Sequence, residues 1–242
     1  MELSNWQKNW DQLGKEDPLW VVLTDPQKKG GKWNPSEFFD TGKTEIAAVL
    51  QEVTALEKSI KYGKALDFGC GVGRLTQALA ANFDEAHGVD ISPSMIEHAN
   101  GFNPYGSKCI FHVNSQSNLQ LFQNDYFDFI YSAIALQHIE PKYSKKYIEE
   151  FLRVLKPNGV CVFQLLTATF LRGLIPEFLA ERYRQFRFKN KPYIGMFGIP
   201  ERQIINIIQN TDGKILQLKR DYPPEFLSRF ASLHFVVEKL SS

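Results

Sequence analysis

The chain has 242 residues, 43% of them hydrophobic and 13% aromatic, enough for one sizeable core and little beyond it. With 28 basic residues against 27 acidic the net charge is +1, so no global field draws the chain to nucleic acid. The three cysteines, Cys70, Cys109 and Cys161, form neither a disulfide framework nor a metal knuckle. The N-terminal stretch lacks the apolar run of a signal peptide, and no segment approaches the roughly 20 apolar residues of a membrane span. The expectation is a single cytoplasmic domain without nucleic-acid or membrane partners, monomeric or homodimeric.

In chain order, residues 1–43 carry all four tryptophans separated by turn formers and read as an N-terminal cover. Residues 44–60 place Ile46, Val49, Leu50, Val53 and Ile60 at helical spacing, an apolar stripe suited to packing on a sheet. From Lys64 onward short apolar runs alternate with amphipathic stretches as far as "GVCVFQLL", the pattern of βαβ units, with five candidate parallel strands. The tetrapeptide Lys156, Pro157, Asn158 and Gly159 before the fifth strand is turn chemistry, with glycine the residue suited to positive φ.

Residues 167–199 are a long insertion between the fifth strand and the next helix. They contain a stripe of Leu171, Leu174, Ile175, Phe178 and Leu179, and Arg172, Arg182 and Arg184 that either face solvent or pair with an anion. "GKILQLKRD" and "ASLHFVVEKL" follow, too close together for a crossover helix, so they should pair antiparallel. The expected organisation is one domain over 1–242: cover 1–43, core 44–166, inserted lid 167–199, and C-terminal helix and hairpin 200–242.

"ALDFGCGVGRLTQALA" puts Gly69, Gly71 and Gly73 at alternate positions between a strand and a helix. Missing side chains in the first βα turn allow a ligand to lie against the backbone, and Asp90 at the end of the second strand can accept ribose hydroxyls. The dinucleotide fingerprint spaces its glycines GxGxxG, whereas this motif is GxGxG preceded by Asp67.

With "GVDIS", that motif resembles the class I S-adenosylmethionine-dependent methyltransferases, a likeness that covers residues 65–166 and reaches the C-terminal hairpin. The resemblance implies a Rossmann-like α/β fold, a seven-stranded mostly parallel sheet with helices on both faces and an antiparallel C-terminal hairpin strand. It implies S-adenosyl-L-methionine as cofactor, with the donor held by Asp67, Gly69, Cys70, Gly71, Gly73 and Arg74 around the motif. Asp90 would take the ribose, and Ile91 and Met95 the adenine faces. Asn114, Ser115 and Gln116 would lie at the adenine edge, and Ser132 and Ala133 after the fourth strand. Ser92 before Pro93 competes with Asp90 as a helix cap.

Methyl transfer from a sulfonium is an in-line displacement, so positioning supplies most of the acceleration and no metal is needed. A base is required only for a protonated nucleophile. His138, just past the fourth strand, is the candidate base, and a pocket-lining role competes with it. His87, His98, His112 and His234 show no ligand spacing. The acceptor side is expected to draw on Trp33, Phe39, Gln137, Gln164, Thr167 and Leu171, with Trp33, Phe38 and Phe39 serving as a lid or as core. "SAIA" after the fourth strand differs from the (N/D)PP(Y/F) segment of enzymes that methylate DNA bases or protein amides, so a small-molecule acceptor is expected. A non-catalytic donor-binding module and an NAD-dependent oxidoreductase are the competing readings.

Overall fold

Apolar runs separated by helices should build a parallel sheet. The computed structural model, which describes residues 3–168, 194–221 and 230–241, contains that sheet. Its strands are β1 (Lys64–Phe68), β2 (Glu85–Asp90), β3 (Cys109–Val113), β4 (Phe127–Ser132), β5 (Leu155–Ala168), β6 (Gly213–Asp221) and β7 (Phe230–Lys239), in the order β3-β2-β1-β4-β5-β7-β6. Strands β1 to β5 are parallel, and β7 lies antiparallel between β5 and β6. The order reverses between β1 and β4, and the strand ends there open the crevice where α/β sheets bind ligands.

The described helices are α1 (Leu3–Glu16), α2 (Pro18–Val22), α3 (Pro35–Ala55), α4 (Arg74–Ala80), α5 (Pro93–Gly101), α6 (Pro141–Val154) and α7 (Glu201–Asn210). On one face α6 and α7 bury Ile148, Phe151, Ile204 and Ile208 against Phe127, Phe163 and Phe235. On the other, α3 and α4 bury Ile46, Val53 and Leu79 against Phe129, Val162 and Val236. The three cysteines are buried free thiols.

Three local expectations change. The helix read from residue 44 starts at Pro35, because Asn34 accepts hydrogen bonds from the N–H groups of Ser36 and Glu37 and Pro35 fixes the first turn. Ile60 lies beyond its end, though buried against the same core. In the turn before the fifth strand the positive φ, 63°, falls on Asn158. Gly159 is needed instead for close packing, since a Cβ there would lie 2.8 Å from the Lys156 carbonyl.

The cover is two helices docked on the carboxyl ends of β1 and β2. Leu13, Leu19 and Val21 pack with Phe38, Val72 and Met95. Asp11 of α1 accepts the Ser94 N–H at 2.8 Å, and Gln7 donates to the Ile91 carbonyl at 3.1 Å. These bonds hold the cover against the first turn of α5.

Phe151 is fully buried between Phe68 and Phe163. Phe151→Ala is expected to lower unfolding free energy by about 3–5 kcal/mol in urea titration, and a loss below about 1 kcal/mol would contradict this packing.

Candidate active site

A cavity of about 730 Å³ opens at the carboxyl ends of β1, β2 and β4, roofed by α1, α2 and residues 194–196. Its size falls within the roughly 300–1,000 Å³ of small-molecule sites. Of the residues expected around the donor, Gly69, Cys70, Gly71, Arg74, Asp90, Ile91, Met95, Asn114 and Ala133 line it.

Asp90 organises this wall. Its Oδ2 accepts the Gly71 N–H at 2.9 Å and its Oδ1 the Ser92 N–H at 2.8 Å. Burial pushes its carboxyl above the ordinary aspartate value, and the Ser92, Gly71 and Ile91 N–H groups oppose that shift. Ser92 caps α5 through its hydroxyl, which accepts from the Met95 N–H, so Asp90 is not needed as the cap. Each Asp90 oxygen keeps acceptor capacity for a further donor.

The glycines answer to different neighbours. Gly71, at φ 52°, faces Val22 of α2, whose Cγ2 would lie 2.7 Å from an added Cβ. Gly69 lies against Ala135. Gly73 does not line the cavity: it is the left-handed cap of α4, φ 83°, pressed by the Phe111 ring. The first two turns of the motif therefore border the ligand space and are crossed by the protein's own chain.

Several expected contacts point elsewhere. Asp67 lies under α4, 1% exposed, where Oδ2 accepts from the Thr76 hydroxyl at 2.7 Å and Oδ1 has no partner among the described residues. Strand alternation turns it to the face opposite Leu66 and Phe68. Ser132 donates to the Phe68 carbonyl within the sheet. Ser115 and Gln116 face solvent, because Asn114 uses its amide to close this loop, accepting from Gln116 N–H and donating to Asn118. Arg74 directs its guanidinium to Glu45 at 2.8 Å and Thr41 at 3.3 Å, leaving Nε buried without a partner.

On the acceptor side Trp33, Gln137 and His138 line the cavity. Phe39 does not; it packs on Phe38 and Phe102 beside a smaller cleft, and Phe38 is core. Thr167 is paired with Ala231 in the sheet, and Leu171 lies outside the described residues, as do Arg172, Arg182 and Arg184. Gln164 stands behind the wall. Its Oε1 accepts the Ile134 N–H, and its Nε2 donates to Gln137 Oε1 at 3.2 Å and Ser232 Oγ at 3.0 Å. Gln137 Nε2 then donates to His138 Nε2 at 3.1 Å, and His138 Nδ1–H donates to the Gly195 carbonyl at 2.6 Å. This sequence of donors assigns the proton to Nδ1 and the lone pair to Nε2. Burial lowers the His138 pKa from its ordinary 6.5, and the Gly195 bond opposes it.

Sequence reasoning missed Trp6, Trp10, Val22, Ile134, Ile139, Tyr147 and Met196, all on the wall. Trp6, Trp10 and Leu13 follow helical spacing, a signal present in the sequence. Ile134 adopts φ 62°, rare for a β-branched residue, a strain held by the Gln164 bond. Among the described residues no three His, Cys, Asp or Glu side chains group as a metal site, and no helix is long and apolar enough to cross a membrane.

Residues 65–159 match the methyltransferase domain family model. Over 155 residues the chain is 32% identical to tocopherol O-methyltransferase of Arabidopsis thaliana, an alignment covering 58% of this chain and 44% of that protein. It is 24% identical to the ubiquinone biosynthesis O-methyltransferase of Rickettsia felis, covering 71% and 68%. The chain thus spans less than half the length of the first relative. In fold it resembles magnesium protoporphyrin IX methyltransferase from Synechocystis, solved with bound SAH, at TM-score 0.62 and 16% identity over 98% of this chain and 99% of that one.

Burial raises the Asp67 carboxyl from 3.8 to about 7. The unfolded chain releases this proton first, so Asp67 lowers stability progressively as pH rises from about 4 to about 7. Asp67→Asn is expected to gain urea resistance relative to the parent across that interval. A stability difference that stays constant with pH would refute the raised pKa.

Proposed function

We propose that this chain, whose residues 65–159 match the methyltransferase domain family model, transfers a methyl group from S-adenosylmethionine to a small-molecule acceptor. The observation that carries this reading is the Asp90 carboxylate, joined to the Gly71 N–H and set in the cavity wall between the glycine turn and the apolar side chains of Ile91 and Met95. These residues fit the donor. Asp90 retains acceptor capacity for two ribose hydroxyls, Ile91 and Met95 offer apolar surfaces to a purine, and the buried, unpartnered Nε–H of Arg74 suits a carboxylate.

Bound there, the donor supplies an electrophilic methyl group on a sulfonium sulfur that takes the bonding electron pair as it leaves. The chain's part is to align the acceptor and keep water out, and effective molarities of aligned reactants account for several kcal/mol of barrier. The α1–α2 cover supplies the exclusion: Trp6, Trp10 and Val22 close the cavity from the solvent side. His138 Nε2 carries the lone pair that can take a proton from an acceptor hydroxyl, once the Gln137 amide gives up its bond to that nitrogen. Gln164 and Gly195 hold the amide and the ring in the required orientation.

Isothermal titration with S-adenosylhomocysteine is expected to show one site per chain, with no binding of NADH. Asp90→Asn should weaken that binding at least about tenfold, in line with roughly 1.5–3 kcal/mol for a hydrogen bond to a charged acceptor. Parental affinity in a folded Asp90→Asn variant would overturn the ribose assignment, and absence of binding in the parent would overturn the donor reading.

A second expectation concerns pH. Because His138 titrates below 6.5, kcat/KM should fall on an acid limb below that value and stay level above it, and His138→Gln should lose the limb together with most of the turnover. An unchanged acid limb in His138→Gln would assign the base elsewhere.

A further inference from the structure

The cavity divides by chemistry. One end holds the glycine turn and Asp90. The other gathers around His138, where the Trp10 ring meets the imidazole edge-to-face at 5.5 Å and Trp6 packs on Phe197 at 5.7 Å. The Phe197 N–H donates to the Gln137 carbonyl at 2.8 Å, which ties this aromatic group to the residue beside the candidate base. Ile134, Ile139 and Met196 extend the apolar wall.

Among the described residues three charged side chains reach the cavity, and each is already engaged. Asp90 holds Gly71 and Ser92, Arg74 pairs with Glu45 and Thr41, and Asp25 accepts the Gln27 N–H at the start of a short turn of helix. A charged group brought to the His138 end would lose its hydration without gaining a counter-ion among the described residues. A flat ring, in contrast, gains the edge and face contacts that buried aromatics favour.

Resting on the donor reading above, we infer that the acceptor is an uncharged aromatic alcohol, its ring against Trp6 and Trp10 and its hydroxyl on His138 Nε2 in place of the Gln137 amide. A hydroxyl is the group that this arrangement answers. It donates to the imidazole lone pair that Gln137 otherwise occupies, and it is the nucleophile whose proton must leave during transfer. In that step the hydroxyl oxygen forms the new bond to the methyl carbon and the carbon–sulfur bond breaks with its electron pair on sulfur. The hydroxyl proton passes to Nε2. Among the described residues the one cation on the cavity wall is Arg74, already paired with Glu45, which disfavours an anionic acceptor, and aromatic cages that bind ammonium groups make a cationic acceptor the alternative to be tested.

The test uses the full chain and four probes that share one ring system: 2-naphthol, 2-naphthoate, 2-naphthyl phosphate and 2-naphthylmethylammonium. Binding is measured by calorimetry, with and without saturating S-adenosylhomocysteine. 2-Naphthol is expected to bind at least tenfold tighter than each charged probe, and Trp10→Ala to weaken it at least tenfold, a larger factor than its effect on S-adenosylhomocysteine. A charged probe that binds as tightly as naphthol, or failure of naphthol to bind, overturns the inference. If Trp10→Ala does not fold, the ranking of the four probes on the parent protein decides. Failure of S-adenosylhomocysteine alone to bind overturns the donor reading and leaves that ranking to judge the acceptor class.

Discussion

The rest of the site depends on one carboxylate. Asp90 ends β2 and reaches across to the turn that ends β1, accepting the Gly71 N–H on one oxygen and the Ser92 N–H on the other. Two strand ends and the start of α5 thereby share one anchor, and hydrogen bonds to a charged acceptor are stronger than those between neutral groups. The glycine turn would otherwise be costly to order, since a left-handed Gly71 carries large freedom in the unfolded chain. Anchoring it makes a rigid floor on which both a ligand and the cover can rest.

The cover uses that floor directly. Val22 packs where a Gly71 side chain would be, and Asp11 binds the Ser94 N–H in the helix that Asp90 and Ser92 begin. The α1–α2 unit buries only a few side chains of its own, Leu13, Leu19 and Val21 among them. Its stability therefore depends on its contacts with the site beneath it. The contact of Val22 with Gly71 ties the seal of the cavity to the glycine turn.

How much of this could be read from the sequence differs by range of interaction. The strands, the parallel core and the antiparallel end were legible, because strand and helix periodicities are local and the short gap before β7, residues 222–229, rules out a crossover. The glycine motif and Asp90 were legible as a pair because their spacing follows from one βαβ unit. Which side of β1 Asp67 faces was not seen, although alternation along the strand sets it opposite Leu66 and Phe68. The aromatic wall was missed for another reason: Trp6 and Trp10 precede Gln137 and His138 by more than a hundred residues, and nothing local says that α1 returns over the ends of β1 and β4. Trp33, Phe38 and Phe39 illustrate the ambiguity of a dense aromatic stretch, with one residue on the wall, one in the core and one beside a separate cleft.

The antiparallel end of the sheet also takes on a chemical role. A purely parallel order would place another crossover next to β5, whereas β7 runs back along it and brings Ser232 diagonally opposite Gln164. Ser232 fixes one N–H of the Gln164 amide, and the other donates to Gln137, so neither amide is free to turn over. Gln164 Oε1 at the same time holds the strained backbone of Ile134 at the cavity mouth. The lone pair on His138 Nε2 is thus set by the Gly195 carbonyl at Nδ1 and, through two glutamines, by the Ile134 N–H, while the antiparallel strand supplies the Ser232 hydroxyl that holds the Gln164 amide in place.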